Sequence, residues 1–267
     1  MGDGIRAEAA RFYRENGYRF PIDVLAEDEA VAYRRQLERF DAEHGLIAGP
    51  QRTKLHLILT WMDELIRHPK ILAAVEAVLG PDILCWSSSF FLKEPKDPSF
   101  ISWHQDGTYW GLSSTDVATA WLALSPSTRQ SGCVKFMPKT HLAPVGHRET
   151  HAPDNALSRG QEVEVEVDEA KAVHVVLRPG QASLHHILLF HGSEPNASDD
   201  RRIGLAIRYV AAGVRRLDGS RDSAMLVRGA DRQGNFDHES RPPADMAPEA
   251  VALHASITSA RRRATMG

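Results

Sequence analysis

The chain has 267 residues, a formal net charge of −3, 42 % hydrophobic and 25 % charged residues. That length suits one large domain or two small ones with a sizeable core, and the near-neutral balance argues against a nucleic-acid partner or an anionic membrane. Its two cysteines, Cys85 and Cys133, form no metal motif, and a chain of this size does not depend on one disulfide, so a reducing compartment is expected.

The opening MGDGIRAEAARFY has no apolar stretch of the kind a secretory signal needs. Residues 5–16 read as a helix stopped by Gly17, and GYRFPIDVL follows as a short strand. Residues 26–45 read as a second helix, opened by acidic residues and closed by Gly45. Residues 60–80 read as two short helices broken near Pro69 and ended by Gly80. From residue 83 the texture changes to short β-favouring runs: 83–95, 117–127, 132–141, the strictly alternating 160–169, two strands around a Pro-Gly turn within 172–193, and 201–214. The last fifty or so residues carry Gly, Pro and charge, with one helix expected over about 247–263. The closing ARRRATMG bears no anchor or peroxisomal signal, and no apolar run has the length of a membrane span. The expectation is therefore a cytoplasmic protein of small-molecule metabolism, mainly β with flanking helices. It divides into a helical lead-in at 1–80, a barrel or sandwich core at about 83–215, and C-terminal loops and helix at 216–267.

ISWHQDGTYWG, residues 101–111, places His104 and Asp106 two apart among aromatics on what reads as a strand. Side chains two apart on a strand share a face, so both could reach one ion, with a third donor drawn from elsewhere. LHHILLFHGSEPN offers His185, His186 and His191. His191 ends an apolar run just before Gly192-Ser193. Two histidines and one carboxylate make the facial triad of non-haem Fe(II) oxygenases, with positions left open for a 2-oxo acid and dioxygen. A planar guanidinium best anchors a distant carboxylate. Arg202 opens the next strand across the turn SEPNASDDR, and Arg208 shares its face by period two.

The ordered set WHQDGTYW, TAWLALSPS, SGCVKFMPKTH and LHHILLFHGSEPNASDDRRIGLAIRYV resembles the phytanoyl-CoA dioxygenase family, over about residues 10–240. The resemblance implies a double-stranded β-helix, or jelly-roll, in one domain over 1–267. It implies Fe(II), 2-oxoglutarate and O2 as the reaction's requirements. His104, Asp106 and His191 would bind iron, Arg202 with Ser193 would hold the distal carboxylate of 2-oxoglutarate, and Lys93 would contact the same co-substrate. Gln105 and Trp121 match positions that line the pocket. Related halogenases have Gly or Ala where Asp106 stands, so hydroxylation of an aliphatic C–H is implied, with succinate and CO2 as co-products. PKTH at 138–141 departs from the usual Pro-Gly-Ser-His. The substrate would be a small molecule, anionic or linked to a carrier such as CoA.

Rival readings stand beside these. Desaturation, epoxidation or cyclisation would use the same residues, a cupin-like metal enzyme would bring more histidine ligands and not need Arg202, and a non-catalytic jelly-roll module would not need the facial triad. Adjacent strand residues face opposite ways, so at most one of His185 and His186 faces the pocket. His141, His147 and His151 read as surface histidines. Trp103, Tyr109 and Trp110 read as substrate-stacking or packing residues. Arg208 is a candidate for a substrate carboxylate or phosphate. The 142–160 loop, with His147, Arg148, His151 and Arg159, reads as a lid over an anionic group.

Overall fold

The helical lead-in forms where the apolar spacing predicts it. The computed structural model describes residues 3–45, 52–157 and 159–266. Met1, Gly2, residues 46–51 and Gly267, counted in the expected 1–267 domain, and Ser158 of the expected lid lie outside the described residues. Helix α1 (Asp3–Asn16) stops at Gly17, whose φ of 84° suits glycine alone, and a Cβ there would strike His141 and Leu189. Strand β1 (Tyr18–Asp23) follows. Helix α2 (Glu27–His44) opens on Glu27, Asp28 and Glu29, which suit its dipole, and the Glu29 carboxylate accepts from the Ala26 N–H at 2.7 Å. Helices α3 (Thr60–Ile66) and α4 (Pro69–Leu79) divide at Pro69, which takes the first turn of α4 where its missing N–H costs nothing.

The chain then runs through β2 (Ile83–Lys93), β3 (Ile101–His104), the one-turn α5 (Gly107–Trp110), β4 (Val117–Ala123), β5 (Val134–Phe136), β6 (His147–Glu149) and β7 (Gln161–Val163). It continues through β8 (Val173–His174), β9 (Gln181–His186), β10 (His191–Ser193), β11 (Arg202–Ala211), β12 (Asp222–Arg228), β13 (Phe236–His238) and α6 (Pro248–Met266). A large sheet has the order β1-β9-β4-β11-β2-β12-β13, a smaller one β3-β10-β5-β8, and β6-β7 is a separate ribbon. The fold is a double-stranded β-helix with flanking helices, as expected. On one face of the large sheet, Ala120 and Leu122 of β4 and Leu205 and Ile207 of β11 pack with Leu65 and Val75 of the helices. Alternate residues point the other way, where Trp121 and Ala206 meet Phe136 of the smaller sheet. Among the described residues no helix is long and apolar enough to cross a membrane.

Three sequence expectations change. The alternating 160–169 segment is a strand only at Gln161–Val163, paired with β6 alone; Asp168 then caps a 3-10 turn by accepting from the Ala170 N–H at 3.2 Å. A two-stranded ribbon has no further partner to extend it. The expected continuous strand up to residue 193 breaks after His186. There Leu189 N–H donates to the His186 carbonyl at 2.9 Å and Leu188 N–H to its Nδ1 at 3.1 Å. That turn carries the chain from the large sheet to the smaller one. Finally, the sheet does not end near 215: β12 pairs antiparallel with β2, and β13 parallel with β12.

A buried charge network ties this C-terminal segment to the lead-in. The Lys54 ammonium pairs with the Glu239 carboxylate and donates to the Ser223 carbonyl at 2.8 Å. His56 lies 2.7 Å from Ser88 Oγ through Nδ1 and 3.4 Å from Glu239 through Nε2. Burial alone would raise the Glu239 carboxyl, but His56 and Lys54 outweigh it and hold it low. Removing one member of such a cluster strands a buried charge. Glu239→Ala is therefore expected to lose about 3–5 kcal/mol in urea unfolding; a loss no larger than that of a surface carboxylate would show that the network carries no weight.

Candidate metal centre and active-site cavity

Strand pairing delivers two imidazoles to one point. His104 ends β3, His191 opens β10, and the antiparallel register sets them opposite one another, with ring centroids 4.1 Å apart. Nδ1 of His104 lies 3.0 Å from the Ser102 carbonyl, and Nδ1 of His191 lies 2.9 Å from the Leu189 carbonyl. A carbonyl only accepts, so Nδ1 carries the proton in both rings. That leaves both Nε2 lone pairs for a cation, the arrangement that orients metal-binding histidines.

Asp106 joins them by a turn, which corrects the strand-face expectation. β3 ends at His104, and Asp106 has helical backbone (φ −60°, ψ −40°) at the head of α5. The reversal returns its carboxylate to 3.6 Å from His104 Nε2 and 4.0 Å from His191 Nε2. The three ligand atoms lie within 4.8 Å of one another, within reach of one ion. Burial opposes ionisation of Asp106, but the neighbouring His104, His191 and Arg208 outweigh it and hold it well below the usual carboxylate range. Burial and the neighbouring His104 push His191 down to about 4. At neutral pH the centre therefore offers an ionised carboxylate and, at His191, an unprotonated ring, the forms a metal requires.

Gln105 does not line the cavity as expected. It is fully buried, and its carboxamide nitrogen donates to the carbonyls of Ala143 at 3.0 Å and Leu188 at 2.7 Å. Its carboxamide oxygen accepts from the Val145 N–H at 3.0 Å, and its own N–H donates to His147 Nε2 at 2.9 Å. The residue between His104 and Asp106 is thus pinned from both sides. His147 completes this brace by donating through Nδ1 to the Val145 carbonyl at 3.0 Å. The surface reading of the histidines holds only for His151. His147 is half-buried, and His141 is buried with Nε2 donating to the Arg14 carbonyl at 3.0 Å.

A cavity of about 890 Å³ opens between the sheets and includes the metal cluster, Arg202, Ser193, Trp121, Tyr109 and Arg208. Arg202 is buried, donates through Nη1 to the Gly132 carbonyl at 2.7 Å, and stands 5.5 Å over the Trp121 ring. Burial lowers its guanidinium only to about 10, so it stays a cation at neutral pH. Its Nε and the Ser193 Oγ are buried without partners. An unsatisfied buried donor costs roughly 1–3 kcal/mol, and a carboxylate placed there would accept from both. Gly204 makes the room: a Cβ there would lie 1.8 Å from the Trp121 indole.

Lys93 pairs in register with Arg202 but does not line the cavity. Its Nζ donates to the Glu194 carbonyl, and burial followed by the Arg202 charge pushes it down to about 7. Arg148 is also outside the cavity, paired with Glu162 at 3.1 Å on the surface, whereas Arg159 lines it and pairs with Glu149 at 3.1 Å. Trp110 lines the cavity, while Trp103 lies outside it and donates to Glu169 at 2.5 Å. His185 and Thr119 are cavity residues that the sequence reading did not assign. Alternation along their strands was visible, but nothing in the sequence aligned one strand with another.

Fold and site define an Fe(II)- and 2-oxoglutarate-dependent oxygenase, one that uses O2. The family model described as Phytanoyl-CoA dioxygenase (PhyH) matches residues 13–204, and the chain belongs to that family. Human "Phytanoyl-CoA dioxygenase, peroxisomal" is 26 % identical over 242 residues, covering 80 % of this chain and 71 % of that protein. The "1-deoxypentalenic acid 11-beta-hydroxylase" of Streptomyces arenae is 31 % identical over 223 residues, covering 71 % of this chain and 75 % of that one. Among solved structures, the apo form of the non-heme monooxygenase ThoJ superposes with a TM-score of 0.86 at 33 % identity, over 97 % of this chain and 98 % of that one.

The geometry makes Asp106 a candidate ligand whose loss should lower metal affinity. Altering even an outer partner of a ligand costs about 10- to 100-fold, so Asp106→Ala is expected to weaken Fe(II) binding by at least about 100-fold in anaerobic calorimetry. Unchanged affinity would remove Asp106 from the site.

Proposed function

We propose that the protein hydroxylates an aliphatic C–H of a small metabolite. In this reading His104, Asp106 and His191 hold Fe(II), and Arg202 with Ser193 holds the distal carboxylate of 2-oxoglutarate. The observation that carries it is the convergence of two oriented Nε2 atoms and one carboxylate in a cavity that also holds a buried cation with an unpartnered Nε. The bound iron supplies the oxidising chemistry, coupling O2 reduction and 2-oxoglutarate decarboxylation to C–H oxidation. The chain does the rest. The Ser102 and Leu189 carbonyls keep both imidazoles in the ligating tautomer. Gln105 and His147 hold the turn that sets Asp106. Trp121 and Arg202 orient the co-substrate, with Lys93 supporting Ser193 through the neighbouring Glu194 carbonyl.

Asp106 fills the position that a halide would need, which favours hydroxylation over halogenation. The similarity to the Streptomyces arenae hydroxylase supports hydroxylation over cyclisation or desaturation. In this reading Tyr109 and Arg208, which line the cavity, face the substrate. Cys85 and Cys133 are buried and form no disulfide, which suits the cytoplasm. The C-terminal segment belongs to the same functional unit, since Ser223 and Ser256 line the same cavity.

Anaerobic titration with Fe(II) and then 2-oxoglutarate tests this. A weak visible band at roughly 500 nm is expected only with both present, as at other facial-triad sites. The band should vanish in His191→Ala. Arg202→Ala should weaken 2-oxoglutarate binding by roughly 10- to 100-fold, the worth of a charge-assisted hydrogen bond. Folded, iron-loaded protein that gives no band with 2-oxoglutarate would refute the assignment.

A further inference from the structure

A polar rung crosses the inner face of the large sheet. The register sets His185 of β9 opposite Thr119 of β4, Thr119 opposite Arg208 of β11, and Arg208 opposite Ser87 of β2. All four line the cavity. The rung begins at the metal cluster, because the His185 ring centroid is 4.7 Å from that of His191.

Two members are buried without partners. His185 is 3 % exposed and neither ring nitrogen has a partner; Thr119 is 2 % exposed and its Oγ1 has none. Its neighbour His186, by contrast, faces outward and packs against Tyr13 and His141. Each unsatisfied group costs roughly 1–3 kcal/mol, and an apolar residue in either place would avoid that cost. The third member is held in a fixed pose. Arg208 donates through Nη1 to Ser89 Oγ at 3.1 Å, and its guanidinium lies 5.7 Å from the Phe91 ring and 5.4 Å from the Trp110 ring. Arg208 is six residues along β11 from Arg202, about 20 Å between Cα atoms. The two cations have different surroundings, and one five-carbon diacid anchored at Arg202 does not account for both.

Apolar walls adjoin the rung. The register shift between Arg208 and Tyr209 leaves Trp86 as an extra residue between Cys85 and Ser87, and a bulge of this kind re-aims a side chain. Trp86 lines the cavity beside Trp110, with centroids 5.2 Å apart, and its Nε1 is used up on Asp222 at 2.7 Å. A ligand body between these rings therefore meets aromatic faces.

We infer that the rung is a carboxylate site for the primary substrate. Arg208 supplies the charge, Thr119 and His185 supply neutral donors, and the tryptophan walls take an apolar body. The single guanidinium of the rung matches a monoanion better than a phosphate monoester, which carries about −1.5 to −2 charge. Seating the carboxylate there presents a neighbouring C–H to the metal. The inference rests on the oxygenase reading above and deepens it by naming a substrate class, apolar carboxylic acids.

The test uses the anaerobic Fe(II)·2-oxoglutarate complex of the full chain. Cyclohexanecarboxylate, decanoate and hydrocinnamate are titrated against the visible band, each beside its primary amide. At least one acid is expected to perturb the band while its amide does not. Arg208→Gln should weaken that response at least tenfold, and Thr119→Val and His185→Phe several-fold, with the 2-oxoglutarate band retained in all three. No band in the wild type would strike the oxygenase reading. A normal band with no difference between any acid and its amide would overturn the carboxylate site alone. Loss of the 2-oxoglutarate band itself in Arg208→Gln would also overturn it, by assigning Arg208 to the co-substrate.

Discussion

One backbone pairing governs the site: His191 set against His104 across β10 and β3. A slip of one residue would turn every side chain of a strand to the opposite face, and β10 is only three residues long. Its register is secured at several points. His191 also pairs with Phe136 of β5, the turn capped by His186 fixes where the strand begins, and a Cβ on Gly192 would lie 2.7 Å from the Ile101 carbonyl. In each of the two segments the carbonyl two residues before the histidine orients its ring. Ring position and tautomer therefore follow from the backbone of β3 and of the turn into β10.

The second organising element is β11. Its outward residues Ile203, Leu205 and Ile207 anchor it to the helices, and its inward residues are Arg202, Gly204, Ala206 and Arg208. Two cations at the ends and two small residues between them give the cavity its depth: Gly204 admits Trp121, and Ala206 keeps the middle open. The other face of the strand is clamped by the helices. The Lys54–Glu239 network adds a second clamp and brings β12 and α6 to the mouth of the same cavity.

Much of this was legible in the sequence. Period-3.6 spacing, the acidic start of α2 and Pro69 marked the lead-in, and the identities of His104, Asp106, His191 and Arg202 marked the centre. The geometry behind Asp106 was not legible, because a strand and a strand ending in a turn look alike over three residues. Gln105 shows the limit of positional inference: adjacent to two ligands, it points into the loop at 143–145 and not toward the cavity. His147 looked like a surface residue because its partner, the Gln105 amide, lies 42 residues away. The His185–Thr119–Arg208 rung depends on register between strands distant in sequence, and no local pattern encodes that.

Some of the buried polar atoms without partners converge on the cavity. Thr119, His185, Ser193 and the Nε of Arg202 are buried side-chain groups lacking partners, and all four residues line it. At roughly 1–3 kcal/mol each, their combined cost is comparable with the whole stability of a typical domain, about 5–15 kcal/mol. Packing alone does not explain such an expense, because apolar residues of similar size would fill the same space. Donors fixed in place around a cavity need little reorganisation when an anion arrives, which is the physical basis of preorganised recognition. Two groups of them, around Arg202 and around Arg208, fit the two anionic guests proposed above.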